Sequence, residues 1–294
     1  MKLSLSLLLL TAIALCGPTT TSASQAPAEG LLDLREIAAW LPGSFDNDPQ
    51  RAFLQGMKRG ADAPPRMHLQ IKADSAASTP SDRSFEISAR NGSEHDAVAL
   101  QARWQLRVDP ADQRVSMQTI AADGRSCTVR WARQVDSFVG VAAPGCERAA
   151  FGVPGTLRLG SDELWIDDAA AVVPNKLYRA ARFDCFVALR LRNGKAQAIT
   201  GLSTHDRGGT IDIQSEDTPP RKLRLLLRRG LWPSNSGNNF VQLMSLYVYE
   251  DDPENPLANG WATPESGRVG FGVGDELPGG QSLSARCTRQ SSTG

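Results

Sequence analysis

No charge of one sign prevails in this chain: 32 Lys and Arg balance 32 Asp and Glu over 294 residues, and no basic tail breaks the balance. Phosphate binding needs a surplus of positive charge on one face, so nucleic acid is excluded as an expected partner. Long apolar runs are missing too. The one run, Leu3 to Leu15, holds 13 residues, whereas a bilayer-spanning helix takes about 20. Histidine is scarce, since His68, His95 and His205 are the only three, and no Cys-x-x-Cys accompanies them. Scattered histidines without paired cysteines argue against zinc, so no metal ligands are expected. No internal repeat divides the chain.

What is present at the N-terminus reads as an export signal over residues 1–23: Lys2, the apolar run, then a small polar segment ending at Thr21-Ser22-Ala23. Cleavage after Ala23 suits the preference for small residues before the cut, and bulky Leu15 ahead of Cys16 argues against a lipid anchor. Removing the signal leaves Cys127, Cys146, Cys185 and Cys287. An even count in an exported chain favours disulfides, and four cysteines allow three pairings.

Leu31, Leu34, Ile37, Ala38 and Leu41 fall on one apolar helical face, and Pro42-Gly43 ends the pattern. The tetrad Phe45-Asp46-Asn47-Asp48 then starts a second short helix, with Asn47 or Asp48 as N-cap and Pro49 at the first helical position. Beyond residue 60 the signal changes to period-two alternation in short runs separated by Gly, Pro, Asp and Asn. Examples are Met67-Leu69-Ile71, Phe85-Ile87-Ala89, Val98 to Val108, Val115-Met117, Cys127-Val129-Trp131, Leu157-Leu159 and Leu164-Ile166. About eight such runs suit a closed up-and-down barrel, because closure removes exposed strand edges. The stretch Ala73 to Ser81 reads as a loop. A second strand series runs from Phe183 to Cys287, with the junction placed at Val173 to Tyr178, where Pro174-Asn175 breaks the pattern. The expected architecture is mainly β: an antiparallel up-and-down, calyx-like β-barrel with short N-terminal helices over 31–182, followed by a small β-sandwich-like accessory domain over 183–290.

The string Trp40-Leu41-Pro42-Gly43-Ser44-Phe45-Asp46-Asn47-Asp48-Pro49-Gln50 resembles the opening of the CpcT/CpeT (T-type) chromophore lyases, whose first helix runs into a Gly-x-Phe-x-Asn-x-x-Gln turn. The resemblance continues over residues 31–182. Ser126-Cys127-Thr128-Val129-Arg130-Trp131 is similar to the family's Gly-Cys-acidic-x-x-Trp strand, with Ser126 in place of Gly. Phe138-Val139-Gly140 and Gly145-Cys146 are similar to its Phe-x-Gly and second Cys, and Leu157, Leu159, Asp162, Leu164 and Asp168 stand where its late strands fall. Phe85-Glu86-Ile87-Ser88 replaces the family's Tyr-x-Glu-Gln, and Gln101-Ala102-Arg103 its Arg-x-Arg.

The resemblance implies a bilin held in a calyx, as ligand or substrate, and presented to a cysteine of an acceptor protein. Such a lyase orients the tetrapyrrole, neutralises its propionates and supplies a proton donor, so the lack of a Ser-His-Asp or Cys-His set is uninformative and catalytic residues stay unassigned. Arg103, with Gln101, is the candidate propionate clamp if the polar face of Val98 to Val108 lines the cavity; the other arrangement makes that face the wet outside of the barrel. Asn47 and Gln50 either donate to ligand carbonyls or tie the helix to the barrel wall. Cys127–Cys146, inside the family-like region, and Cys185–Cys287, bracketing the remainder, are the favoured disulfides. His205-Asp206-Arg207-Gly208-Gly209 pairs a base with a carboxylate but is read as a turn between strands. Arg221, Lys222, Arg224, Arg228 and Arg229 are read as a solvated face.

These features lead to an exported, periplasmic or secreted lyase-family protein holding a bilin-like or other hydrophobic, acid-bearing small molecule, with no other cofactor. The rival reading is a non-catalytic envelope protein that binds a small apolar ligand or a protein partner. Mass spectrometry of the N-terminus from the native host should find a mature chain starting at Ser24 without a diacylglyceryl group on Cys16.

Overall fold

The computed structural model describes residues 29–146, 156–167, 172–234, 239–252, 255–277 and 281–291. The signal segment and Asp168 lie outside them. Helix α1 (Glu29–Trp40) lays Leu34 and Ile37, followed by Leu41, fully buried into the first core, as their spacing predicts. Strand β1 (Gly43–Asp46) and helix α2 (Asp48–Gly56) follow. The barrel then continues through β2 (Met67–Asp74), β3 (Asp82–Asn91), β4 (Val98–Val108), β5 (Val115–Ala121), β6 (Ser126–Arg133), β7 (Phe138–Ala142), β8 (Thr156–Leu159), β9 (Glu163–Asp167) and β10 (Asn175–Ala180). Each strand pairs antiparallel with its neighbours in sequence, and β1 closes the circle by pairing with both β2 and β10. Closure leaves no free edge to aggregate.

Two strands beyond the expected eight come from segments whose local chemistry hides them. Phe45-Asp46 belongs to a short strand rather than to the second helix, and Pro174-Asn175 opens the last barrel strand rather than the domain junction, which falls at Ala181. Ser75 to Ser81 does connect strands of one barrel, although Ala73 and Asp74 still belong to β2. The cap differs as well. Asn47 occupies the N-cap position of α2 without a side-chain cap bond, and the Asp48 N–H donates instead to Asp46 Oδ1 at 2.8 Å.

Alternation decides what fills the barrel. Phe45, Phe85, Trp104, Leu106, Met117, Trp131, Phe138, Leu157 and Leu159 all point inward and are buried in one apolar cluster with the α1 residues. Gly140 is required by that packing: a Cβ there would stand 2.8 Å from Val129 Cγ1 and 3.1 Å from the Trp131 ring.

The second domain contains two four-stranded sheets. One is ordered β12 (Ala196–His205), β11 (Arg182–Arg190), β18 (Gln281–Arg289), β17 (Arg268–Leu277); the other is β13 (Arg207–Gln214), β14 (Lys222–Pro233), β15 (Phe240–Glu250), β16 (Ala258–Ala262). Phe183, Val187, Leu283 and Ala285 from the first sheet share a core with Ile213, Leu225, Leu246 and Val248 from the second, which makes a sandwich. Strand β16 is an addition to the expected series, because its Ala-Asn-Gly-Trp-Ala sequence carries no apolar alternation.

Both expected cysteine pairs form. Cys127 and Cys146 have Cα atoms 5.4 Å apart, and Cys185 and Cys287 face each other directly on β11 and β18 with Cα atoms 4.1 Å apart. The second pair links the first and last strands of the sandwich, closing a loop of most of that domain. Replacing Cys287 by Ser, measured by urea unfolding against wild type, is expected to cost about 2 to 5 kcal/mol. Peptide mapping without reductant should return the same two pairs.

Candidate functional site at the domain seam

Phe45 and Leu69 face the barrel core, so the residues next to them in sequence, Asp46 and His68, project from the outer wall. They are also direct cross-strand partners. An aspartate and a histidine on the outside of a barrel would ordinarily be wet, yet Asp46 is fully buried and His68 nearly so. The covering element is the passage from β12 to β13 through Asp206, which carries buried His205, Asp206 and Arg207 against that wall.

The contacts account for most of the buried charge. Asp46 Oδ2 accepts from His68 Nδ1 at 3.1 Å and from Arg66 Nη2 at 3.3 Å, while Oδ1 takes the Asp48 N–H. Arg66 Nη2 also donates to the Gly208 carbonyl at 2.6 Å. Asp206 Oδ1 accepts the Ala181 N–H at 2.8 Å, and its own N–H returns a bond to the Ala181 carbonyl at 3.1 Å. Arg207 Nε donates to the Arg179 carbonyl at 2.9 Å. Asp48 accepts a two-pronged pair from Arg228, at 2.6 and 3.1 Å. Gly208 has φ +84°, and a Cβ there would overlap the Asp48 carboxylate, so both the positive φ and the close approach need glycine. A planar guanidinium gripping both carboxylate oxygens fixes orientation as well as distance.

His205, like Asp206 at Oδ2 and Arg66 at Nε, keeps a buried atom without a partner. The Arg207 N–H donates to its Nδ1 at 3.2 Å, which leaves the ring proton on Nε2. That atom is buried and has no hydrogen-bond partner; Glu94 Oε1 stands 3.8 Å away and Asp46 Oδ2 3.9 Å away. Glu94 Oε1 is likewise buried without a partner, because Arg182 Nη1 donates to the other oxygen, at 3.1 Å. The His68 and His205 rings lie 5.1 Å apart. Burial pushes the His205 pKa well below its ordinary value of 6.5, and the neighbouring positive groups His68, Arg66, Arg182 and His95 push it the same way.

The sequence candidates separate into different places. Asn47 and Gln50 tie α2 to the wall: Asn47 Nδ2 donates to the Pro65 carbonyl and to Asn175 Oδ1, its Oδ1 takes the Met67 N–H, and Gln50 bonds the Pro174 carbonyl and the Lys176 N–H. Their polar atoms are used in these bonds, not turned toward a cavity. Gln101 and Arg103 do not line the barrel interior. Both are exposed on the outer face of β4, in an open groove of about 620 Å³ with Lys72 and Glu86, because Leu100, Ala102, Trp104 and Leu106 take the inward positions. Arg221 and Arg228 are not on a solvated face: Arg221 is buried in a two-pronged pair with Glu250 and Arg228 bridges the domains. Arg224, paired with exposed Asp212, does fit that reading. Of the stretch read as a turn, only Asp206 is one: His205 ends β12, and Arg207, Gly208 and Gly209 open β13.

The histidines judged scattered are gathered by topology. His68 and His205 meet with their rings tilted by 32°, and His95, exposed, donates from Nε2 to the Thr210 carbonyl at 2.8 Å with Glu94 beside it. Sequence spacing could not show this, since strand register and the domain contact bring them together. Compared with family models, curated proteins and solved structures, the chain finds no match in any of the three.

His205 gives a signed pH dependence. Its folded pKa is depressed, so between that value and about 6.5 the unfolded chain binds the extra proton, and stability falls as pH drops below about 6.5. Above that pH the residue contributes no slope. Urea unfolding from pH 7.5 to 5 should show a loss approaching at most about 1.4 kcal/mol per pH unit from this group, and His205→Gln should flatten that part of the profile.

Proposed function

We propose that the protein is an exported, non-catalytic binding protein built on a barrel like that of the CpcT/CpeT lyases, and that it takes a small apolar ligand outside the barrel. The observation that carries this reading is the filled interior: Phe45, Phe85, Met117, Phe138, Leu157 and Leu159 occupy the space a calyx would leave for a tetrapyrrole. Arg103, the propionate clamp of the lyase reading, faces away from it.

An apolar opening exists instead between α2 and the β14–β15 hairpin. It holds about 140 Å³ and is lined by Ala52, Phe53, Met57, Leu231, Trp232 and Phe240. A cavity near 150 Å³ accepts a benzene-sized group, so one ring or a short alkyl segment of the ligand enters. The remainder lies on the surrounding surface, where Met57, Leu231, Phe240 and Val241 are each about half exposed. The Phe53 and Phe240 rings, 5.3 Å apart, flank the opening. Exposed apolar side chains gathered at one concave point are the surface feature that marks ligand sites. Export, in this reading, places the site where free hydrophobic molecules are scavenged or carried.

Titration with N-phenyl-1-naphthylamine, followed by its fluorescence, tests this. Saturable binding is expected in wild type and in Arg103→Ala, and at least about tenfold weaker binding in Leu231→Asp, a loss of about 1.4 kcal/mol. Binding that ignores Leu231→Asp would remove the pocket from the account. Transfer of biliverdin to an acceptor cysteine by the purified protein would return the lyase reading to first place.

A further inference from the structure

We propose that Asp46, His68 and His205, with Glu94, bind one divalent transition-metal ion of the zinc class, which cross-links the barrel to the sandwich. The site is separate from the apolar pocket and does not depend on it.

Three observations point to it. Asp46, His68 and His205 each offer a ligand atom, all within 4.8 Å of one another, and all three residues are buried. Tetrahedral zinc with bonds of about 2.0 to 2.1 Å places its donors about 3.3 to 3.4 Å apart; two separations here are 3.1 Å from His68 Nδ1 to Asp46 Oδ2 and 3.9 Å from His205 Nε2 to the same oxygen, and the third, between the two histidines, is within 4.8 Å. Small side-chain shifts close that difference. The second observation is independent of spacing: His205 Nε2 and Glu94 Oε1 are buried, without hydrogen-bond partners, and face each other at 3.8 Å. Buried polar atoms are rarely left unmatched, and a cation between them satisfies both. Third, Arg182 on Glu94 Oε2 and the Asp48 N–H on Asp46 Oδ1 hold each carboxylate through the oxygen it does not offer, as outer partners of metal ligands do, and Arg66 Nη2, which donates to Asp46 Oδ2, gives way on loading.

The chemistry selects the metal. Two imidazoles and two carboxylates suit zinc, or cobalt and nickel, above calcium or magnesium, which prefer all-oxygen shells. With its three clustered ligand residues buried and Glu94 supplying the fourth donor, the site is structural rather than catalytic. Loading rearranges two protons. The ring proton of His205 moves from Nε2 to Nδ1, displacing the Arg207 N–H, and that of His68 moves from Nδ1 to Nε2, so each ring presents a lone pair while remaining neutral. No net proton is released from the rings.

The test uses tag-free mature protein stripped with a chelator and dialysed, then titrated with zinc sulfate by calorimetry, with cobalt(II) absorption as the coordination readout. Wild type should take one equivalent at micromolar affinity or tighter, show a tetrahedral cobalt spectrum and melt at a higher temperature with zinc. His205→Ala should abolish this. Glu94→Gln, at a loop position that leaves the fold intact by circular dichroism, should weaken zinc at least about tenfold, whereas His95→Ala, the exposed neighbour, should not. In a nitrogen-15 histidine spectrum, zinc should move the His205 ring proton from Nε2 to Nδ1. Failure of wild type to bind at micromolar zinc overturns the proposal. So does binding that both Glu94→Gln and His205→Ala leave unchanged, or that His95→Ala alone removes, since each marks an adventitious surface ion.

Discussion

The buried carboxylate of Asp46 is the constraint on which the molecule's arrangement depends. Removing an ionised carboxylate from water costs several kcal/mol unless charges and hydrogen bonds replace the lost solvation. Its replacements come from three directions: the first N–H of α2, His68 on the adjacent strand, and Arg66 just ahead of β2. Arg66 in turn holds the Gly208 carbonyl of the second domain. The same side chain therefore starts a helix, marks the outer wall of the barrel and fixes where the sandwich docks.

Much of what surrounds it supplies partners to buried polar groups. Arg228 reaches across to Asp48, and Asp206 and Ala181 exchange two bonds at the point where the chain leaves the barrel. An apolar seam of the same area would be adhesive but would tolerate sliding. Directional bonds with glycine at the closest approach do not. This also separates the roles of the two domains: the barrel core is filled and serves as a rigid base, and the unusual chemistry lies where the domains meet.

Much of the fold was legible because period-two runs such as Phe85-Ile87-Ala89 and Trp104-Leu106 report a face directly. Strand β1 was not, since Gly43-Ser44-Phe45-Asp46 is four residues long with one apolar position, and a polar stretch behind a helix stop reads equally well as a cap. Pro174 hid β10 for a related reason: a proline is punctuation in the sequence but sits just before the first paired residue in the sheet. The orientation of Arg103 was undecided by alternation alone, because the pattern tells which residues share a face but not which face is inside. The seam was the least legible part. His68 and His205 are neighbours only through barrel register and domain contact, and neither leaves a local signature.

A barrel base and a sandwich locked to it by buried charge make one mechanical unit. Differential scanning calorimetry of wild type and Asp46→Ala at neutral pH tests that unity most directly. Wild type should melt in a single transition whose van't Hoff and calorimetric enthalpies agree, and Asp46→Ala should split it into two, with the sandwich transition separated from that of the barrel. Two independent transitions already in wild type, or an Asp46→Ala protein that still melts once at an unchanged temperature, would contradict the account.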